Sequence, residues 1–133
     1  MKNGDKMGAD LTINKSGRYF WDSYNPSNIW WVIRMSYGNI SEKLRRKKLL
    51  DDEGELTKEG VKFVWEEVKK HPLTEKKALS FIARNRESFG LSTHNYTPDN
   101  IIKAVKEIQK HDKKMRGFWQ EAVNLKSTVE WSV

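Results

Sequence analysis

The sequence predicts an α+β domain that is mainly α, with about five helices packed against a small two-stranded sheet formed by the N- and C-terminal strands. Three kinds of observation carry this expectation. Both ends of the chain alternate apolar and polar residues with the period of a strand. Between them, apolar residues recur every three or four positions, the period of a helix. Residues that cap or break helices separate the periodic stretches.

The opening "MKNGDK" offers nothing to bury, so residues 1–6 are expected to be a disordered or non-native leader to one globular domain over 7–133. Gly4-Asp5 is encoded by GGNGAY, which can hold the ribosome-binding sequence GGAG ahead of the codon for Met7; translation is expected to start at Met7. "GADLTINKSG" then sets Leu11 and Ile13 against Thr12 and Asn14, a half-buried strand closed by a Ser16-Gly17 turn. The final "STVEWSV" alternates in the same way, with Val129, Trp131 and Val133 on one side. Two strands covered by helices are stable where a lone pair is not, so the two ends are expected to pair.

The helices follow in order. Asn25-Pro26 supplies a cap and a first-turn proline for a helix to about Ser36, with Gly38 as its stop. Ser41 can cap a second, "EKLRRKKLL", broken by the acidic turn "DDEGE". Thr57 opens a third, with Val61, Val64, Trp65 and Val68 on one face, ended by Pro72. Thr74 opens a fourth, with Ala78, Leu79, Ile82 and Ala83 inward, ending near Gly90. Thr97-Pro98 starts the longest, where Ile101, Val105, Ile108, Met115, Trp119 and Ala122 form a stripe that Asp112 interrupts and Gly117 is placed to kink.

Composition narrows the function classes. The 133 residues include no cysteine, which excludes disulfides, thiolate metal sites and a cysteine nucleophile. His71, His94 and His111 are scattered without metal-ligand spacing, and "DDEGELTKEGVK" puts its glycine at the wrong position for a calcium loop. No phosphate-cradling glycine loop or dinucleotide fingerprint occurs. No catalytic residue, metal ligand or cofactor is therefore assigned, and no membrane segment is expected. A net charge of +7 favours a polyanionic partner.

The stretch "RYFWDSYNPSNIWW", residues 18 to 31, holds six aromatic rings in fourteen positions. "MGADL" at 7 to 11 followed by "GRYFWDSYNPSNIWW" at 17 to 31 resembles a group of short proteins from tailed phages and prophages. That group opens with a Met-Gly-Ala-Asp-Leu strand and carries a Gly-aromatic-Phe-x-Asp-Ser-Tyr-Asn block running into a tryptophan-bearing helix. The "LLDDEGELTKE" turn and a closing strand are similar too. Trp21 stands where the group carries a basic residue, and "NKSG" replaces a longer helical connection. The resemblance implies a phage origin and the cytoplasm of an infected bacterium, and it lends no catalytic residues.

Two surfaces stand out as binding candidates. Most rings of the aromatic block are expected in the core, with Tyr19, Trp21 and Trp31 left as an aromatic edge, because adjacent Trp30 and Trp31 cannot face one way on a helix. The densest positive run, "KLRRKK" at 43 to 48, gives a basic patch of Arg45, Arg46, Lys47 and Lys48, which Lys113, Lys114 and Arg116 would extend if the fold brings them together. Asp22, Ser23 and Asn25 are read as backbone-capping groups. The expected function is a non-enzymatic phage accessory protein that binds a host protein, for example an inhibitor of a defence or gene-expression machine such as a CRISPR effector. The alternative is a basic nucleic-acid-binding protein that uses the helix at residues 43–48.

Overall fold

The computed structural model describes residues 8–23 and 37–132. In chain order the elements are β1 (Gly8–Ile13), β2 (Tyr19–Ser23), α1 (Tyr37–Arg46), β3 (Glu55–Leu56), α2 (Lys58–Lys70), α3 (Glu75–Arg84), a 3-10 turn at Arg86–Phe89, α4 (Pro98–Asn124) and β4 (Val129–Ser132). The helix expected from Pro26 to Ser36 lies outside the described residues.

The alternating ends pair with each other. β1 runs antiparallel to β4, with Leu11 opposite Trp131 and Ile13 opposite Val129, and all four side chains are no more than 2 % exposed. The sheet has four strands instead of two, in the order β2-β1-β4-β3. The additional strands come from segments read as a junction and a turn. Gly17 takes a left-handed φ of 74°, which lets the chain reverse and lay Phe20 opposite Leu11. Aromatic residues suit such a pleated surface, so "YFWDS" continues the sheet.

The other edge is built by residues 49 to 57. Leu50 bridges to Leu56, and the Asp51 carboxylate accepts the backbone N–H groups of Glu53 at 3.0 Å and Glu55 at 2.8 Å. The resulting Asx turn delivers Gly54 to β4, where its carbonyl accepts the Trp131 N–H at 2.7 Å. Gly54 has φ 91°, and a Cβ there would stand 2.5 Å from the Trp131 carbonyl oxygen. Only glycine fits.

Threonines start three helices as expected: Thr57, Thr74 and Thr97 accept the N–H groups of Gly60, Lys77 and Asn100. Pro98 occupies the first turn of α4. Gly38 and Ser41, expected as a stop and a cap, lie inside α1. A glycine there costs about 1 kcal/mol, whereas burying Ile40 and Leu44 one turn apart returns about 1.5–3 kcal/mol for each side chain. α3 ends at Arg84, short of Gly90, which instead closes the 3-10 turn at φ 71°. Its buried residues are Ala78, Phe81 and Ile82; Leu79 and Ala83, about 100° round the helix from Ala78 and Ile82, are exposed. α4 runs unbroken through Gly117.

Both α1 and α4 end in a Schellman motif. In α1 the Lys48 N–H reaches the Arg45 carbonyl at 2.9 Å and the Leu49 N–H reaches that of Leu44 at 2.8 Å. After α4, Lys126 bonds Val123 at 3.0 Å and Ser127 bonds Ala122 at 3.1 Å. The left-handed position, usually glycine, is lysine in both: φ is 62° at Lys48 and 52° at Lys126.

The core lies between the sheet and α4. Phe118 and Trp119 meet edge to face at 5.2 Å, Trp119 and Trp131 stand 6.0 Å apart, and Phe20 reaches Phe118 at 5.6 Å. Val61, Val64 and Val68 of α2 and Phe81 and Ile82 of α3 close it.

Exchanging glycines tests this account in opposite directions. Gly54→Ala is expected to lose about 2–3 kcal/mol in chemical denaturation through overpacking and left-handed strain. Lys126→Gly is expected to gain about 0.5–1 kcal/mol by relieving the left-handed residue.

Candidate nucleic-acid interface

α1 is amphipathic because Ile40 and Leu44 anchor it, leaving Lys43, Arg45, Arg46, Lys47 and Lys48 exposed. Positions 43, 46 and 47 fall on the flank that meets α2. There Lys43, Arg46 and Lys47 line an open groove of about 480 Å³ together with Phe63 and Glu67. The ammonium groups of Lys43 and Lys47 lie 5.9 Å and 5.8 Å from the centroid of the half-buried Phe63 ring, within cation–π range. Glu67 is paired with Lys70 at 3.2 Å, which offsets its charge. On the other flank of α2, Lys58, Lys62 and Lys126, with Glu59 among them, line a cavity of about 270 Å³ together with Val61, Ala122 and Val123.

The second basic cluster divides. Lys113 and Lys114 are exposed on α4, but neither lines the groove. Arg116 points the other way. Its guanidinium donates to the Asp112 carboxylate at 2.8 Å, the Val68 carbonyl at 3.1 Å and the His71 carbonyl at 2.5 Å. It adds a second hydrogen bond to the Val68 carbonyl, which already accepts the His71 N–H at 3.1 Å, and a bond to the carbonyl of His71, the C-cap of α2. Asp112, which interrupts the apolar stripe, is 7 % exposed and supplies the counter-charge. This pair ties α4 to α2.

Of the aromatic edge, Tyr19 is 59 % exposed and donates its hydroxyl to the Asp10 carboxylate. That hydrogen bond, aided by partial desolvation and the Asp10 charge, pushes the phenol up from its ordinary 10.0 to about 12. Trp21 stands opposite Asp10 in the strand register, but its side chain and the whole of Trp31 lie outside the described residues. Nearby, Arg18 pairs with Glu121 at 2.5 Å and holds that carboxyl below its usual range, with Ser16 contributing.

Sequence reasoning missed Phe63 and Glu67 and left Lys43 out of the patch. The signal was available for Phe63, an aromatic residue off the Val61-Val64-Val68 stripe. Its relation to α1 was not, because residues 43 and 63 are joined only by the fold.

Among the described residues, no three metal-ligating side chains come together, and no helix is long and apolar enough to cross a membrane. Compared with known proteins, the chain matches no family model, no curated sequence and no solved structure.

Arg116→Ala is expected to lose about 2–3 kcal/mol in urea denaturation, because it removes the charge-assisted hydrogen bonds to the Asp112 carboxylate and to the Val68 and His71 carbonyls. Lys113→Ala and Lys114→Ala are expected to stay within about 0.5 kcal/mol of the parent. The Tyr19 phenol binds its proton more tightly folded than unfolded. Its contribution to stability is therefore complete below pH 10.0 and lost as pH rises towards about 12. Ultraviolet titration of Tyr19→Phe is expected to lack a phenolate step near pH 12 that the parent shows.

Proposed function

We propose that this is a non-enzymatic binding protein of tailed-phage origin, acting in the cytoplasm of the infected bacterium, and that its α1–α2 surface attaches to the phosphate backbone of a nucleic acid. The observation that carries the reading is the groove in which Lys43, Arg46 and Lys47 surround the Phe63 ring. Clustered cations displace condensed counterions from phosphate, and an aromatic group among them is the composition of surfaces that hold nucleic acid. Arg45 and Lys48 extend the positive field beyond the groove. Lys58, Lys62 and Lys126 add a second cationic area on the far flank of α2.

A host protein is the second reading, favoured by the exposed Tyr19 on the outermost strand of the described sheet. Tyrosine at an exposed position is a frequent anchor of protein interfaces. In that case the chain works as an inhibitor of a host defence or gene-expression machine, a CRISPR effector being one example.

Salt separates the two. Binding to labelled DNA or RNA through about six phosphate contacts is expected to weaken about a thousandfold between 50 and 200 mM salt. Replacing Arg45, Arg46, Lys47 and Lys48 with alanine is expected to abolish retention while far-UV circular dichroism is unchanged. Absence of binding at 50 mM salt, or binding indifferent to salt, defeats the nucleic-acid reading. Recovery of one host protein from a nuclease-treated lysate then supports the second.

A further inference from the structure

We infer that the α1–α2 groove takes a single-stranded nucleic acid, with one base stacked on Phe63 and its phosphate held by Lys43, Arg46 and Lys47; this rests on the nucleic-acid reading and specifies its ligand.

The argument begins with position. Phe63 is the residue of α2 that faces α1 without joining the Val61-Val64-Val68 stripe. Its ring stays half-buried at the floor of a groove open enough, at about 480 Å³, for a planar group to enter. Two ammonium groups lie within 6 Å of its centroid, at 5.9 and 5.8 Å, and the groove beside the ring is lined by Lys43, Arg46, Lys47 and Glu67, none of them a residue of the core. A lysine stem swings aside at little cost. Its charge is then free for the phosphate that arrives with the base.

The charges set the orientation. Lys43 and Arg46 lie on α1 and Lys47 directly follows it, whereas the α2 wall carries Glu67 beside Phe63. A phosphate is drawn to the unpaired excess of cations on the α1 wall and away from the α2 wall, where Glu67 and Lys70 neutralise each other. The base therefore occupies the α2 side, where the Glu67 carboxylate accepts an N–H from its edge. Every natural base carries such a donor, so the site tolerates sequence.

A duplex cannot use this arrangement, because its bases are already stacked and paired. Its backbone would engage the lysines alone. Stacking is expected to give single strands an advantage over duplex of the same length, and Phe63 is expected to account for it.

The test uses the intact protein, a labelled oligothymidylate and a duplex of equal length, with anisotropy titrations at several salt concentrations. Phe63→Leu is expected to weaken single-strand binding about 5- to 100-fold, to leave the salt slope unchanged and to leave duplex binding unaltered. Phe63→Tyr, which keeps a stacking face, is expected to retain parental affinity, and this rescue separates stacking from a loss of folding. An oligothymidylate carrying 5-iodouracil is expected to photocrosslink to the wild-type protein at residue 63. Salt-dependent binding with Phe63→Leu equal to the parent, or crosslinks confined to other residues, overturns the stacking site while leaving phosphate attachment intact. Absence of binding to either oligonucleotide overturns both.

Discussion

The fold depends on the antiparallel pairing of β1 with β4, which brings together residues more than a hundred positions apart. The Asn14 side chain meets Thr128 across a separation of 114 residues. Closing so long a loop is entropically costly, although the cost grows only logarithmically with length. The pairing is held because both strands present a fully apolar inner face. Phe20, Leu11 and Trp131 form one cross-strand row, and Ile13, Val129 and Leu56 form the next. Trp131 belongs to both layers: its ring packs on Trp119 of α4, and its backbone N–H reaches Gly54. The acidic turn that positions β3 therefore owes its place to the last strand of the chain. α2, whose first residue follows two positions after β3, inherits that placement, and so does the groove it makes with α1.

Charge is segregated on this frame. The outer face of the sheet has Glu55 opposite Glu130, with Thr12 and Tyr19 continuing the row and Asp10 in the next. A like-charge pair directly across two strands costs stability, up to about 1 kcal/mol. The helices carry both signs, but Lys43, Arg46 and Lys47 at the α1 groove and Lys58, Lys62 and Lys126 beside α2 outnumber Glu59 and Glu67 among them. Uniform mixing would give surface pairs of small value. A local excess of one sign instead creates a field that acts beyond contact distance.

Much of the fold was legible because the relevant physics is local. Thr57, Thr74 and Thr97 cap where they were expected, and the alternation of Leu11, Ile13, Val129 and Trp131 identified the central pair of strands. Three features were hidden for a common reason: each is decided by a distant contact. β3 is two residues long and exists because β4 lies beside it. Gly38 reads as a stop until Ile40 and Leu44 find the core. Arg116 reads as part of a basic run until Val68 and His71 present their carbonyls. The same limit applied to the candidate site. The "KLRRKK" run was visible, but the ring beside it belongs to another helix.

The two left-handed lysines show how the interface and the scaffold share one constraint. A non-glycine residue in that region costs about 1–2 kcal/mol. At the end of a helix a cation recovers about 0.3–1 kcal/mol from the partial negative charge of the free carbonyls. Lys48 and Lys126 each occupy that position, Lys48 directly after the groove-lining Lys47 and Lys126 lining the cavity beside α2. Glycine would end either helix with less strain, but it would remove a charge from the surface that α1, α2 and the end of α4 present together. Accumulating like charges on a short helix is itself unfavourable, since neighbours at i and i+4 such as Lys43 and Lys47 repel. Their placement over the Phe63 ring relieves part of that repulsion by giving both ammonium groups a shared region of negative potential. The ring therefore does for the free protein what a phosphate does in a complex: it holds the cations together. An anionic ligand that enters the groove meets charges already gathered beside the ring, and the flexible lysine stems let the ammonium groups pass from the ring to the phosphate.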